Sequence, residues 1–95
     1  MRKFALVVTV TGPTSPAELE PRMYGRYTAV ESRQVLVAMR GDLAGLASSA
    51  GLKFTSQMDK SGAWLTAEIG GVMKVWVCRH QMEHYSEGDF DFLVE

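Results

Sequence analysis

The stretch Lys53-Phe54-Thr55-Ser56-Gln57-Met58-Asp59-Lys60-Ser61-Gly62-Ala63-Trp64-Leu65-Thr66-Ala67-Glu68-Ile69-Gly70-Gly71-Val72-Met73-Lys74-Val75-Trp76-Val77 decides the fold. Phe54 and Met58 alternate with Lys53, Thr55 and Gln57, and Asp59-Lys60-Ser61-Gly62 has the polar, Gly-ended character of a four-residue turn. Pairing Met58 with Ala63 sets Phe54 opposite Ala67 and collects Leu65 and Ile69 on the same apolar face. The other face then pairs Lys53 with Glu68, Thr55 with Thr66 and Gln57 with Trp64, of which the opposite-charge pair and the Thr–Thr pair are favourable cross-strand combinations. For the next hairpin, a two-residue Gly70-Gly71 turn would put Lys74 on the apolar face. A three-residue loop, Ile69-Gly70-Gly71, avoids this. It pairs Glu68 with Val72, Thr66 with Lys74 and Trp64 with Trp76, while Met73, Val75 and Val77 join the core. A one-residue slip would invert every side chain, so polarity decides the faces.

Working outward, Thr28-Ala29-Val30-Glu31 fits a capping box and opens a helix. Leu36, Met39, Leu43, Leu46, Ala47 and Ala50 recur at helical spacing, and Gly51 can take the left-handed stop. Gly41 and Gly45 weaken this helix, each by about 1 kcal/mol against Ala, and are expected to pack closely on the sheet or to mark a kink. Upstream, Lys3–Thr11 is apolar on both faces, as an interior strand requires. Gly12–Tyr27 reads as a long loop, with a short helical turn capped by Ser15 and ended by Pro21. Downstream, Gly88–Val94 alternates and reads as a closing strand. The expected architecture is α+β, a two-layer sandwich: one main helix on a mostly antiparallel four- to five-stranded sheet, a single domain over residues 1–95.

Composition bounds the function. The 95 residues are 46% hydrophobic and 22% charged, ordinary for a globular domain, and the net charge of -1 gives no global basic field for nucleic acid. A chain this short buries only about 60–65% of its unfolded surface, so the core is thin. No apolar run approaches the roughly 18–20 residues of a membrane span. The single cysteine forms no internal disulfide, which points to a reducing, cytoplasmic setting.

Several constellations carry side chains capable of chemistry. Cys78 and His80 share a strand face, and His84, Glu83 or Asp89 could complete a zinc site, but the spacing matches no familiar zinc module. Cys78 lacks an orienting third group for nucleophilic catalysis, and the glycines form no phosphate loop. The expectation is therefore no enzyme activity, no metal and no cofactor. Arg22, Arg26, Arg33 and Arg40, interleaved with Tyr24 and Tyr27, form the alternative reading, a nucleic-acid surface.

The sheet face away from the helix carries the leading reading. Trp64 and Trp76 stand there amid Thr55, Gln57, Thr66, Lys74, Val72 and Cys78 with no evident cover unless the Gly12–Tyr27 loop supplies it. Exposed aromatics of this kind mark interfaces. The acidic stretch with Glu83, Glu87, Asp89, Asp91 and Glu95 adds a surface for a basic partner, including a nucleic-acid-binding complex. The expected function is a non-enzymatic interaction module. It would bind a protein partner, or a second copy as a homodimer, through Trp64, Trp76, Thr66, Lys74, Glu83, Glu87, Asp89 and Asp91. In size and character the chain is similar to small phage and mobile-element inhibitors such as anti-CRISPR proteins; the likeness implies a host protein as target and carries over no residue.

Overall fold

The computed structural model describes residues 3–12 and 22–81. In chain order these form β1 (Phe4–Thr11), β2 (Arg22–Tyr27), α1 (Ala29–Ser49), β3 (Phe54–Met58), β4 (Trp64–Ile69) and β5 (Met73–Gln81). The strands make one antiparallel sheet in the order β2-β1-β5-β4-β3, with α1 packed on one face. This is the α+β two-layer arrangement, and β1, apolar on both sides, lies inside the sheet. The fifth strand is β2, drawn from the stretch expected to be loop. Gly25 interrupts its alternation, and a bulge shifts its register between Phe4 and Ala5, so it lacks a strand's regular pattern. The strand expected at Gly88–Val94 and the turn expected after Ser15 lie outside the described residues.

Helix α1 starts and stops as its local chemistry dictates. The Glu31 N–H donates to Thr28 Oγ1 (3.1 Å), and the Thr28 N–H donates to Glu31 Oε1 (2.8 Å), closing the capping box. At the other end Gly51 takes φ +68°. Its N–H donates to the Ser48 carbonyl (3.1 Å) and that of Leu52 to the Ala47 carbonyl (2.8 Å), the paired bonds of a Schellman stop. Ser32, Leu36 and Ala47 are buried, with Met39 and Leu43 half-buried beside them.

Leu46, expected in the core, is 65% exposed, in the last turn of the helix. Gly41 and Gly45 neither pack on the sheet nor break the helix. A side chain added at either would meet nothing within 4 Å, because both sit on the solvent side.

The core joins Leu36 to Leu6, Leu65, Ala67, Val75 and Val77 of the sheet, with Phe54, Met58 and Tyr27 packed at its margin. Apart from Ala63 and Val72, which lie in loops, the expected strand faces hold, but both hairpin registers differ from expectation by two residues. The first ladder sets Thr55 opposite Glu68, Gln57 opposite Thr66 and Met58 opposite Leu65. The reason is Asp59. Its N–H donates to the Trp64 carbonyl (3.0 Å), so Asp59 stays in the ladder and the loop becomes Lys60–Ala63.

The second ladder sets Trp64 opposite Cys78, Thr66 opposite Trp76, Glu68 opposite Lys74 and Ile69 opposite Met73. Gly70 and Gly71 both adopt positive φ and sit inside the loop with Val72, which leaves Ile69 paired and buried. Trp64 and Trp76 are thus diagonal neighbours, not a direct pair. Met73, expected beneath the helix, is 40% exposed at the end of the sheet. A slip of two residues preserves every side chain's face because the strand period is two.

Two carboxylates stabilise these local structures. Asp59 Oδ2 accepts from the Ser61 hydroxyl, the Ser61 N–H (3.2 Å) and the Ala63 N–H (3.2 Å). The Ser61 hydroxyl, then the Ala63 N–H, hold its pKa below the ordinary 3.8, with a smaller contribution from nearby Arg79. Glu31 is held below 4.5 chiefly by the Thr28 N–H. A carboxyl depressed in the folded state adds stability above its unfolded pKa and loses it as pH falls through the folded value. The urea midpoint is therefore expected to stay level from pH 7 to about pH 5 and to drop in more acid solution. Asp59→Asn should lower the midpoint at pH 7 and flatten the acid drop; an unchanged acid limb would remove Asp59 from this role.

Candidate protein-interaction face

The sheet face opposite α1 is built from rows that follow directly from the two registers. One row runs Thr55, Glu68, Lys74, Thr11; the next runs Gln57, Thr66, Trp76, Thr9; the third runs Trp64, Cys78, Val7, Met23. His80, opposite Ala5, begins a fourth. Alternation aims these side chains away from the helix, and antiparallel pairing brings residues distant in sequence to neighbouring positions.

The face is polar at the β3 side and apolar toward β1. Trp64 and Trp76 are each 39% exposed, so each indole leans on its neighbours and still presents a broad edge to solvent. Beside Trp76, the side chains of Thr55, Gln57, Thr66, Glu68 and Lys74 line a shallow depression of about 330 Å³. Glu68 and Lys74 stand directly opposite one another there. This combines flat aromatic area, hydroxyl and amide groups, and one charge of each sign. Such a mixture suits recognition of a folded surface or peptide, where aromatic anchors sit among polar contacts. Ala5 and Met23 are buried at the β1–β2 end, so accessible area concentrates around the tryptophans.

Of the residues expected to bind a partner, Trp64, Trp76, Thr66 and Lys74 come together on this face. Glu83, Glu87, Asp89 and Asp91 lie outside the described residues. The sequence reading omitted Glu68 from this face's site, and the signal for it was its parity with Thr66 on β4. Val7 and Thr9 of β1 were also missed, because their proximity depends on β5 pairing with β1 across a long separation.

The arginines and tyrosines of the alternative reading are dispersed. Arg22, Tyr24 and Arg26 lie on the edge strand β2, and Tyr27 packs against the core. Arg33 instead reaches the β3–β4 loop, where its Nε–H donates to the Lys60 carbonyl (3.0 Å). Arg40 is exposed on α1.

Cys78 and His80 are exposed on the same face, as their spacing implies. His84, Glu83 and Asp89 are outside the described residues. Among the described residues no group of three or more His, Cys, Asp or Glu side chains converges as a metal site would, and no buried side-chain polar atom lacks a hydrogen-bond partner. None of the described helices is long and apolar enough to cross a membrane. No protein-family profile, curated protein or solved structure matches the chain.

Proposed function

We propose that this protein is a small non-enzymatic interaction module that binds a partner protein through the sheet face bearing Trp64 and Trp76. The observation that carries the reading is the pair of diagonal, 39% exposed tryptophans on a sheet face that α1 does not cover. The part of each indole left at the surface adds nothing to the core, whereas desolvating it against a partner is a major source of binding energy. Thr66 and Lys74 would supply polar contacts around the anchors, with Glu68 and the adjacent depression accepting a donor. A host protein is the proposed target, bound as mobile-element inhibitors bind theirs, and the acidic residues of the sequence after Gln81 are proposed as a second contact, for a basic surface.

Trp64→Ala combined with Trp76→Ala tests this. Each indole should contribute at least about 2 kcal/mol to a partner, so each single change should weaken binding by roughly 30-fold. The doubly substituted protein should keep its circular dichroism spectrum and lose the partner that the unaltered chain retains from host lysate. Outright unfolding would make the tryptophans structural, and retained binding would move the interface elsewhere.

A further inference from the structure

Among the described residues the sheet ends on two edge strands, β2 and β3, and they differ in regularity. Edge β2 carries a bulge, a device that discourages pairing with another strand. Edge β3, Phe54-Thr55-Ser56-Gln57-Met58, is regular over its whole length and carries no charge, proline or bulge.

Its free hydrogen-bonding groups can be assigned. The Gly70 N–H donates to the Lys53 carbonyl (2.8 Å) and the Asp59 N–H to the Trp64 carbonyl (3.0 Å), so the odd-numbered residues face β4. By the alternation of an antiparallel ladder, the N–H and C=O groups of Phe54, Ser56 and Met58 point outward. No β-strand among the described residues pairs with that side.

We infer that β3 is a dimerisation edge, where the strands of two copies pair antiparallel about a two-fold axis at Ser56. In this register Phe54 meets Met58 of the second copy, Ser56 meets Ser56, and all the outward groups of the three residues exchange hydrogen bonds. Sliding by one outward pair in either direction leaves some of them unmatched. On the helix side, the half-buried Phe54 and Met58 bury each other's remaining surface. On the opposite side, Thr55 meets Gln57 in the close, non-hydrogen-bonded spacing. At the ends, Lys53 faces Asp59 of the second copy, twice by symmetry. Lys53 is exposed, and the Asp59 pKa held below the usual value keeps that partner ionised. The occupant is thus a second copy, matched in hydrogen bonds, apolar contacts and charge. Its interface runs along the β3 edge and shares Thr55 and Gln57, but neither tryptophan, with the face opposite the helix.

Light scattering after size exclusion should give twice the 10.5 kDa chain mass, shifting to single mass on dilution. Thr55→Lys with Gln57→Lys puts like charges opposite one another at both symmetric contacts. It should raise the dimer dissociation constant at least about tenfold. Thr55→Lys with Gln57→Glu puts opposite charges there and should retain the dimer. Both positions are exposed, so circular dichroism should be unchanged in either variant. The Trp64→Ala, Trp76→Ala protein should remain dimeric whether or not it loses its partner. A wild-type chain of single mass at every soluble concentration overturns the inference. So does a dimer that survives the like-charge variant or dissociates only when the tryptophans are removed.

Discussion

Replacing Leu65 with Ala is expected to lower unfolding stability by about 2–5 kcal/mol, among the largest effects of any single truncation in the sheet. Leu65 is fully buried between Met58 and Val77 on its neighbouring strands, in the cluster that includes Leu36 of the helix. A cavity there has no solvent side into which neighbours can relax, so the transfer and packing losses add. Domains of this size hold only about 5–15 kcal/mol in total, and the variant should show a clearly reduced urea midpoint or fail to fold at 37 °C. Leu36→Ala should behave alike. Leu43→Ala should cost less, because Leu43 is only half-buried. If Leu65→Ala and Leu43→Ala cost the same, the core is not centred where its burial places it.

Gly62→Ala should be nearly as damaging, for a different reason. Gly62 adopts φ +82°, and a Cβ there would stand 2.8 Å from Arg33 Cβ and 3.0 Å from Arg33 Cα. The left-handed backbone costs a side chain about 1–2 kcal/mol, and forced overpacking costs about 1–3 kcal/mol more. The obstructing Cα belongs to the helix backbone and cannot swing aside as a side-chain tip would. Gly71→Ala is the internal comparison. Gly71 has φ +72° and nothing within 4 Å, so it should lose only the conformational contribution. The difference between the two denaturation midpoints measures the contact between helix and loop. Equal losses would show that this contact does not resist the substitution.

That contact also shows where sequence reasoning stops. Arg33 was legible as a helix-surface cation, and its spacing from Arg40 suggested a shared binding face. In the folded chain its Nε–H donates to the Lys60 carbonyl, and Arg79 reaches the same loop with its guanidinium on the Ser61 carbonyl (3.3 Å). Arg79 also stacks over the Phe4 ring, 4.6 Å from its centre. Nothing local in the sequence marks these cations as structural, since their partners are backbone carbonyls far along the chain.

The candidate site was more legible. The parity of Trp64, Thr66, Lys74, Trp76 and Cys78 followed from strand periodicity and from the cost of burying Lys74, so these residues could be placed on one face without coordinates. The cap at Thr28, the stop at Gly51 and the interior place of β1 followed equally from local chemistry. Each depends on residues within a few positions of one another.

What tertiary structure alone decided was register and adjacency. A two-residue slip leaves every side chain on the same face, so polarity could not distinguish Trp64 opposite Trp76 from Trp64 opposite Cys78. The choice fell to the Asp59 carboxylate gathering the loop N–H groups and to both glycines entering the β4–β5 turn. Strand β2 became a strand because β1 offered it an edge, although Gly25 and the bulge erase its own periodic signal. Periodicity over neighbouring residues carries side-chain direction, whereas pairing between distant segments is settled by hydrogen bonds and packing that exist only once the chain has folded.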